Sequence, residues 1–258
     1  MNWIYLSPHL DDVAYSCGGL AWSQALAGEK VSVWTICAGD PPDKELSPHA
    51  VAIHDRWKFE NDAIEKRKLE DIQSCRILGA SHRHFRIPDA IYRGEFNLKS
   101  NLEGGDKEYF YQDRDSLFGP LNPAEVVLLE NLSKEMLDEI KQIPDSENTQ
   151  FVCPLALGDH VDHQLTRKAV EQLDIPLLYY ADFPYVMEDL SSLDALRASG
   201  WRWNSFKISQ DALGAWSAAI AEHKSQLSTF WSDLDEMRSA LESYLISMDG
   251  AILWQPPA

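Results

Sequence analysis

The sequence lacks any uninterrupted apolar run long enough to cross a bilayer, and no basic n-region with an apolar h-region follows Met1. A membrane-spanning or secreted chain is therefore not expected, and a cytoplasmic location is. Cysteine is scarce: Cys17, Cys37, Cys75 and Cys153 are widely separated, mostly in apolar contexts, and form no CxxC pair. Buried thiols are expected rather than disulfides or a structural zinc site. Positive charge is also in short supply, with 23 Lys and Arg against 41 Asp and Glu and a net charge of −18. That balance argues against general binding to the phosphates of DNA or RNA, and against strong attraction to anionic membrane. No G-x-G-x-x-G or Walker-type loop, internal repeat or low-complexity tract is present.

What remains is an ordinary globular composition, 45% hydrophobic and 25% charged over 258 residues, enough for one large core. The chain alternates strand-like and helix-like patterns, which predicts an α/β fold with a mostly parallel sheet flanked by helices. Apolar runs at Trp3–Leu6, Val31–Cys37, His82–Ile87, Gln150–Pro154 and Ile175–Tyr180 read as strands, and Trp201–Ile208 as an edge strand. Helical spacing marks 19–26, 61–78, 123–141, 164–173, 212–230 and 232–246. A polar loop is expected over 39–55, with His49 and His54 as solvated rim residues outside the site. The expected organisation is one domain over 1–258, with an irregular insertion at about 90–123 and a helical carboxyl-terminal segment at about 210–247. Within the insertion Tyr92, Arg93, Tyr109, Phe110 and Tyr111 suggest a lid, or equally a loop packed on itself.

Two strand ends carry chemistry. After Trp3–Leu6 comes Ser7-Pro8-His9-Leu10-Asp11-Asp12, leading into Cys17-Gly18-Gly19-Leu20. After Gln150–Pro154 comes Leu157-Gly158-Asp159-His160-Val161-Asp162-His163. Ligands bind at the carboxyl ends of strands in open α/β sheets, so the two clusters are placed to meet. Imidazole and carboxylate suit a zinc-like ion with a position left for water, and a second carboxylate beside a ligand suits a general base. Adjacent Asp11 and Asp12 point in different directions, so one binds and the other takes a proton. Asp159 or Asp162 is placed to hold an imidazole nitrogen from behind. Each cluster alone reads equally well as a helix cap or a solvated helix start; their pairing favours the site. Arg67 and Glu70, three residues apart on a helix, read by spacing as a surface pair. Asp182 and Tyr185 either bind a sugar hydroxyl or close a loop, and Trp216 and Trp231 read as core.

Ser7-Pro8-His9-Leu10-Asp11-Asp12 resembles the PHPDD-type motif, and His160-Val161-Asp162-His163 the HPDH-type motif, of the PIG-L/LmbE-type zinc-dependent N-acetylglucosaminyl deacetylases. Arg67-x-x-Glu70 with Leu78-Gly79, Tyr180-x-Asp182-x-Pro184-Tyr185 and His223-Lys224-Ser225-Gln226 are similar to softer family segments. The resemblance runs from residue 3 to about 230, excepting the insertion. It implies a Rossmann-like fold with His9, Asp12 and His163 as metal ligands, Asp11 as general base, and Arg67 in contact with substrate. His160 would polarise the tetrahedral intermediate or protonate the leaving amine. Zinc is the implied cofactor, and Fe²⁺ fits the same ligands. Leu10, Val13, Asp159 and Val161 depart from the family pattern, the last two beside the second motif.

The function expected is thus metal-dependent removal of acetyl from an N-acetylglucosamine-type or related small N-acylated amino sugar. The sequence leaves a homo-oligomer open. One competing reading is a Rossmann-like sugar- or nucleotide-binding protein or transferase whose clusters bind hydroxyls. Another is a metal-dependent scaffold or regulator without activity.

Overall fold

A computed structural model describes residues 1–42, 45–58, 62–95 and 108–257. Its sheet is built from β1 (Asn2–Ser7), β2 (Lys30–Thr35), β3 (Ser81–His84), β4 (Thr149–Pro154), β5 (Leu177–Tyr180), β6 (Arg202–Phe206) and β7 (Ala251–Gln255). The strand order is β3-β2-β1-β4-β5-β7-β6. The first five strands of that order pair in parallel, and β7 runs antiparallel between β5 and β6. This is the mixed, mostly parallel α/β sheet expected from the alternating pattern. Strand β7 itself was not anticipated; Ala251 to Trp254 is a short apolar run that joins the sheet as its second-to-last strand.

The helices are α1 (Asp12–Leu26), α2 (Pro48–Trp57), α3 (Ala63–Leu78), α4 (Arg114–Leu117), α5 (Val126–Ile140), α6 (Val161–Glu171), α7 (Ser191–Ala198), α8 (Gln210–Ala221), α9 (Lys224–Phe230) and α10 (Leu234–Met248). Alternate residues of the central strands go to opposite layers. Ile4, Leu6, Phe151 and Cys153 pack with Leu132 and Met136 of α5 and Leu165 of α6. Tyr5, Val33 and Val152 pack with Val13, Cys17 and Ala21 of α1. Each such side chain contributes about 1.5–3 kcal/mol by leaving water. The four cysteines are free and buried. Among the described residues no helix is long and apolar enough to cross a membrane.

Several local expectations are corrected. Helix α1 begins at Asp12, seven residues before Gly19, because the Ser7 hydroxyl accepts from Val13 N at 3.1 Å and closes the first turn. Part of the expected loop over 39–55 is α2, capped by Ser47, whose side chain accepts from Ala50 N, with Pro48 in the first turn. The expected single helix over 212–230 breaks at Glu222–His223 into α8 and α9, and α7 was missed. In the insertion, Tyr92, Arg93, Tyr109 and Tyr111 are buried, with Tyr92 and Tyr111 in a core cluster that includes Trp57 and Val161, so they are packed structure rather than a lid. Residues 96–107 of the insertion lie outside the described residues.

Gly18 and Gly19 let α8 lie close on α1: a Cβ at either position would land on the Trp216 indole. That indole is fully buried and donates to Ala14 O at 2.6 Å. Gly19→Val therefore overpacks the contact and should cost about 2 kcal/mol, roughly 5 °C in Tm for a chain of this size. Gly214→Ala, where open space meets the new methyl, should not lower Tm. Calorimetry of both variants checks this.

At the α8–α9 break the buried His223 ring lies edge-on to Tyr15, 5.9 Å between centroids, and its Nε2 has no hydrogen-bond partner among the described residues. Burial, with Arg67 acting in the same sense, pushes its pKa down to about 4. The folded chain holds the ring neutral while the unfolded chain protonates it near 6.5, so stability is lost as pH falls from about 6.5 to 4. His223→Gln should flatten that part of the stability–pH profile, measured by urea unfolding; an unchanged slope would count against it.

Candidate metal centre

Strands β1 and β4 are neighbours, yet the chain leaves β1 toward β2 and leaves β4 toward β5 on the other side. This reversal opens a crevice at their carboxyl ends. His9, Asp11 and Asp12 enter it from β1, and His160 and His163 from β4. A cavity of about 350 Å³ there is lined by His9, Asp11, Asp12, Arg67, His160 and Tyr185, among others. The two clusters are thus brought together.

Asp12 lies between two imidazoles. Its Oδ2 is 3.1 Å from His9 Nδ1, and its Oδ1 is 3.4 Å from His163 Nε2. The far nitrogen of each ring is held by another buried carboxylate: His9 Nε2 lies 3.0 Å from Asp162 Oδ2, and His163 Nδ1 lies 2.6 Å from Asp182 Oδ1. Such backing places the ring proton on the far nitrogen and leaves the near one as a lone-pair donor. Asp162 is itself fixed by Ala90 N at 2.9 Å and by the Arg93 guanidinium, and Asp182 by Leu157 N at 2.9 Å. Arg93 also pairs with the buried Glu125, which accepts from Tyr111 Oη.

The donor set fits a divalent ion. His163 Nε2 is buried without a hydrogen bond. Donor atoms of His9, His160 and His163 lie within 4.8 Å of one another, as do those of His9, Asp11 and Asp12. The buried charge is also unbalanced: Asp11, Asp12, Asp89, Asp162, Asp182 and Glu125 are met by Arg67 and Arg93. Protons make up the difference. Burial opposes charge on His9 and His163, but the surrounding carboxylates together outweigh it, Asp12 with Asp162 and Asp89 raising His9 well above the ordinary range and Asp12 with Asp182 raising His163 to about 9. The same rings hold Asp12 well below the usual carboxylate range despite its burial. A divalent cation beside Asp12 would replace those protons.

Asp11 takes the other direction. It stands at the N-cap position of α1 with no side-chain cap bond. Burial and the adjacent Asp12 raise its pKa to about 7, against the pull of Arg67. Arg67 is 4% exposed, with Nη2 3.9 Å from Asp11 Oδ1, Nη1 3.7 Å from Asp89 Oδ2, and its guanidinium 4.4 Å above the Trp57 ring. The surface pair with Glu70 suggested by spacing is overturned: Arg67 faces the cavity, and Glu70 accepts from Ser225 N at 3.0 Å and Ser225 Oγ at 2.6 Å.

His160 caps α6 through Nδ1, which accepts from Asp162 N at 3.2 Å, so its ring proton sits on Nε2. Burial and the neighbouring His9 push its pKa well below the ordinary value, keeping it a neutral donor. Its ring meets Phe118 edge-on at 5.1 Å. Asp159 is exposed with φ of 60°, next to Gly158 at 86°, so its left-handed turn takes the place commonly held by glycine in the family that the sequence resembles, without facing the site. Tyr185 lines the cavity edge-on to His163, whereas Asp182 is engaged behind His163 and is not free for a sugar hydroxyl. Of the rim histidines, His49 lines the cavity and His54 is buried against Tyr92.

Sequence reasoning missed Asp89 and Glu125, and named Arg93 only as part of a lid or self-packed loop. Asp89 had a signal, since it follows the third apolar run as His9 follows the first; a buried counter-ion such as Arg93 has none.

The model of the family described as "PIG-L: GlcNAc-PI de-N-acetylase" matches residues 4–173, which contain both motifs. A 2'-N-acetylparomamine deacetylase of Niallia circulans is 28% identical over 241 residues, covering 87% of this chain and 80% of that protein. Its namesake in Streptomyces fradiae is 30% identical over 189 residues, covering 70% and 57% respectively. Among solved structures, the zinc-inhibited form of teicoplanin deacetylase Orf2 superposes with a TM-score of 0.75 at 24% identity, covering 98% of this chain and 97% of that one, a likeness of fold. With the family model spanning β1 through α6 and every residue of the two clusters, this chain belongs to the PIG-L, GlcNAc-PI de-N-acetylase, family.

Proposed function

We propose that this chain is a metal-dependent hydrolase that removes acetyl from an N-acetylated amino sugar or its glycoconjugate, releasing the free amine and acetate. The observation that carries the reading is Asp12 set between His9 and His163, each ring anchored from behind by its own carboxylate, on the floor of a cavity flanked by Asp11 and His160. Relatives named as 2'-N-acetylparomamine deacetylases support the substrate class. Cavity walls come from α2 and α4 as well as from Tyr185, Gln226 and Phe230.

His9, Asp12 and His163 would hold the metal, zinc or Fe²⁺. When bound, such an ion polarises the acetyl carbonyl and makes water more acidic. Asp11, poised near pH 7 and not committed to either imidazole, accepts the proton of the attacking water. As water oxygen bonds to the acetyl carbon, the carbonyl oxygen gains negative charge, and the Nε2–H of neutral His160 donates to it. When the C–N bond breaks, Asp11 returns its proton to the departing nitrogen, so acetate and amine leave with the base regenerated. This assignment gives His160 the polarising role, because a ring held neutral by burial is a poor source of a proton. Arg67 limits how far Asp11 rises and presents donors to the substrate.

Asp11→Asn should retain metal while kcat falls by about a thousandfold. His163→Ala should lose both metal and turnover. His160→Gln should retain metal with kcat down about a hundredfold or more. Metal content by elemental analysis, paired with acetate release from a panel of N-acetylglucosamine compounds, checks all three. Failure of the reconstituted wild type to hold about one ion per chain would overturn the centre, and metal without acetate release would overturn the catalytic reading.

A further inference from the structure

His223-Lys224-Ser225-Gln226 has no part in the chemistry above, yet its last residue, Gln226, lines the cavity. Ser225 is pinned to α3 by both its backbone N–H and its hydroxyl, each donating to the Glu70 carboxylate. Because that hydroxyl gives its proton to Glu70, its oxygen must accept from Gln226, whose Nε2 lies 2.9 Å away. The chain of donors Gln226 to Ser225 to Glu70 therefore fixes which way the amide faces. Nε2 turns inward, and Oε1 is the end left over.

Gln226 is 7% exposed and lines the cavity. Its Oε1 has no hydrogen-bond partner among the described residues and is not among the atoms sealed from solvent. An amide held by its nitrogen, on a residue that lines a cavity, with an acceptor that has no partner among the described residues, is arranged for a donor brought by the occupant. Arg67, one turn from Glu70 on α3, lines the same cavity with donors only. Gln226 makes no hydrogen bond to His9, Asp11, Asp12 or His160, so it stands apart from the groups that would act on the acetamide.

We propose that Gln226 is a specificity-determining residue whose Oε1 accepts a hydrogen bond from a sugar hydroxyl of the substrate, with Ser225 and Glu70 acting as positioning residues that hold the amide in that orientation. This rests on the amino-sugar reading of the site. It narrows the substrate class to amino sugars with a free ring hydroxyl within reach of α9, and disfavours those in which that hydroxyl is substituted.

The test is acetate release by wild type and Gln226→Met from methyl N-acetylglucosaminide and its 3-, 4- and 6-deoxy analogues. Wild type should lose about fivefold to tenfold in kcat/KM on one analogue, through KM, and Gln226→Met should show that loss on the parent sugar and no further loss on the analogue. Ser225→Ala, which removes the hydroxyl that fixes the amide, should fall between them. Equal sensitivity of wild type and Gln226→Met to every deoxy analogue would overturn the proposal, even with both fully active and equal in Tm and metal content. If wild type released no acetate from any compound, the deacetylase reading would fall on its own. Calorimetric binding of the same sugars to the same two proteins would then decide the Gln226 contact, by the same pattern of losses.

Discussion

Carboxylates withdrawn from water set the terms for this molecule. An isolated buried carboxylate costs several kcal/mol and is tolerated only with matched partners. Here all but Asp71, which pairs with His84, are gathered around one crevice, and each has a specific answer. Asp162 and Glu125 share Arg93, Asp89 and Asp11 face Arg67, and Asp182 is bonded to His163 and a backbone N–H. Asp12 alone faces two imidazole nitrogens and no guanidinium. The positive charge still required is concentrated at that one point, where a divalent cation would satisfy Asp12 and both rings together. The same anchors keep the rings from turning toward other partners, so electrostatic balance and ligand geometry have one cause.

The parts of this arrangement legible in the sequence were those with local signatures. Apolar runs at Trp3–Leu6 and Gln150–Pro154 mark strands because a strand buried on both faces must be apolar throughout, and the polar residues just past each run fall at strand ends whatever the details of packing. Elements missed had signals weakened by context. Helix α2 begins with the Ser47-Pro48 pair, a good start, but its mean apolar character is low and it follows a proline-rich stretch. Strand β7 lies within the last seven described residues, after a long helix, and runs antiparallel where the preceding pattern is parallel. Arg67 misled because spacing on a helix reports which residues are neighbours and not which face is buried. Charged side chains are ordinarily outside; this one is inside because Asp11 and Asp89, distant in sequence, are there.

Chemistry and selection come from different layers. The groups that would hold metal or move protons sit on the ends of β1 and β4, where the sheet hydrogen bonds fix the backbone. The walls come from α2, α4, α9 and the turn after β5, which lie outside the sheet, α9 being tied to α3 by the two hydrogen bonds from Ser225 to Glu70. Walls of this kind can change without disturbing the strands. Homologues with a shared centre can thus differ in the sugar they accept, and motif-based reading reaches the reaction type before it reaches the substrate.

The adjacency of Asp11 and Asp12 shows how one turn divides two identical side chains. Asp12 is the first residue of α1 and Asp11 its N-cap, with φ −144° and ψ −21°, so the two side chains leave the backbone toward different partners. Asp12 meets His9 and His163, which hold it ionised well below the usual range; it is a poor base and a good ligand. Asp11 meets Asp12 and the dry interior, which push it up to about 7, and Arg67 at 3.9 Å, which stops it from rising further. Had Arg67 faced Asp12 instead, a guanidinium would have filled the position proposed for the cation, and Asp11 would have had no restraint on its proton. The proposed roles rest on which neighbour each carboxylate has, and those neighbours are fixed by where α1 starts, which is set in turn by the Ser7 hydroxyl at the end of β1.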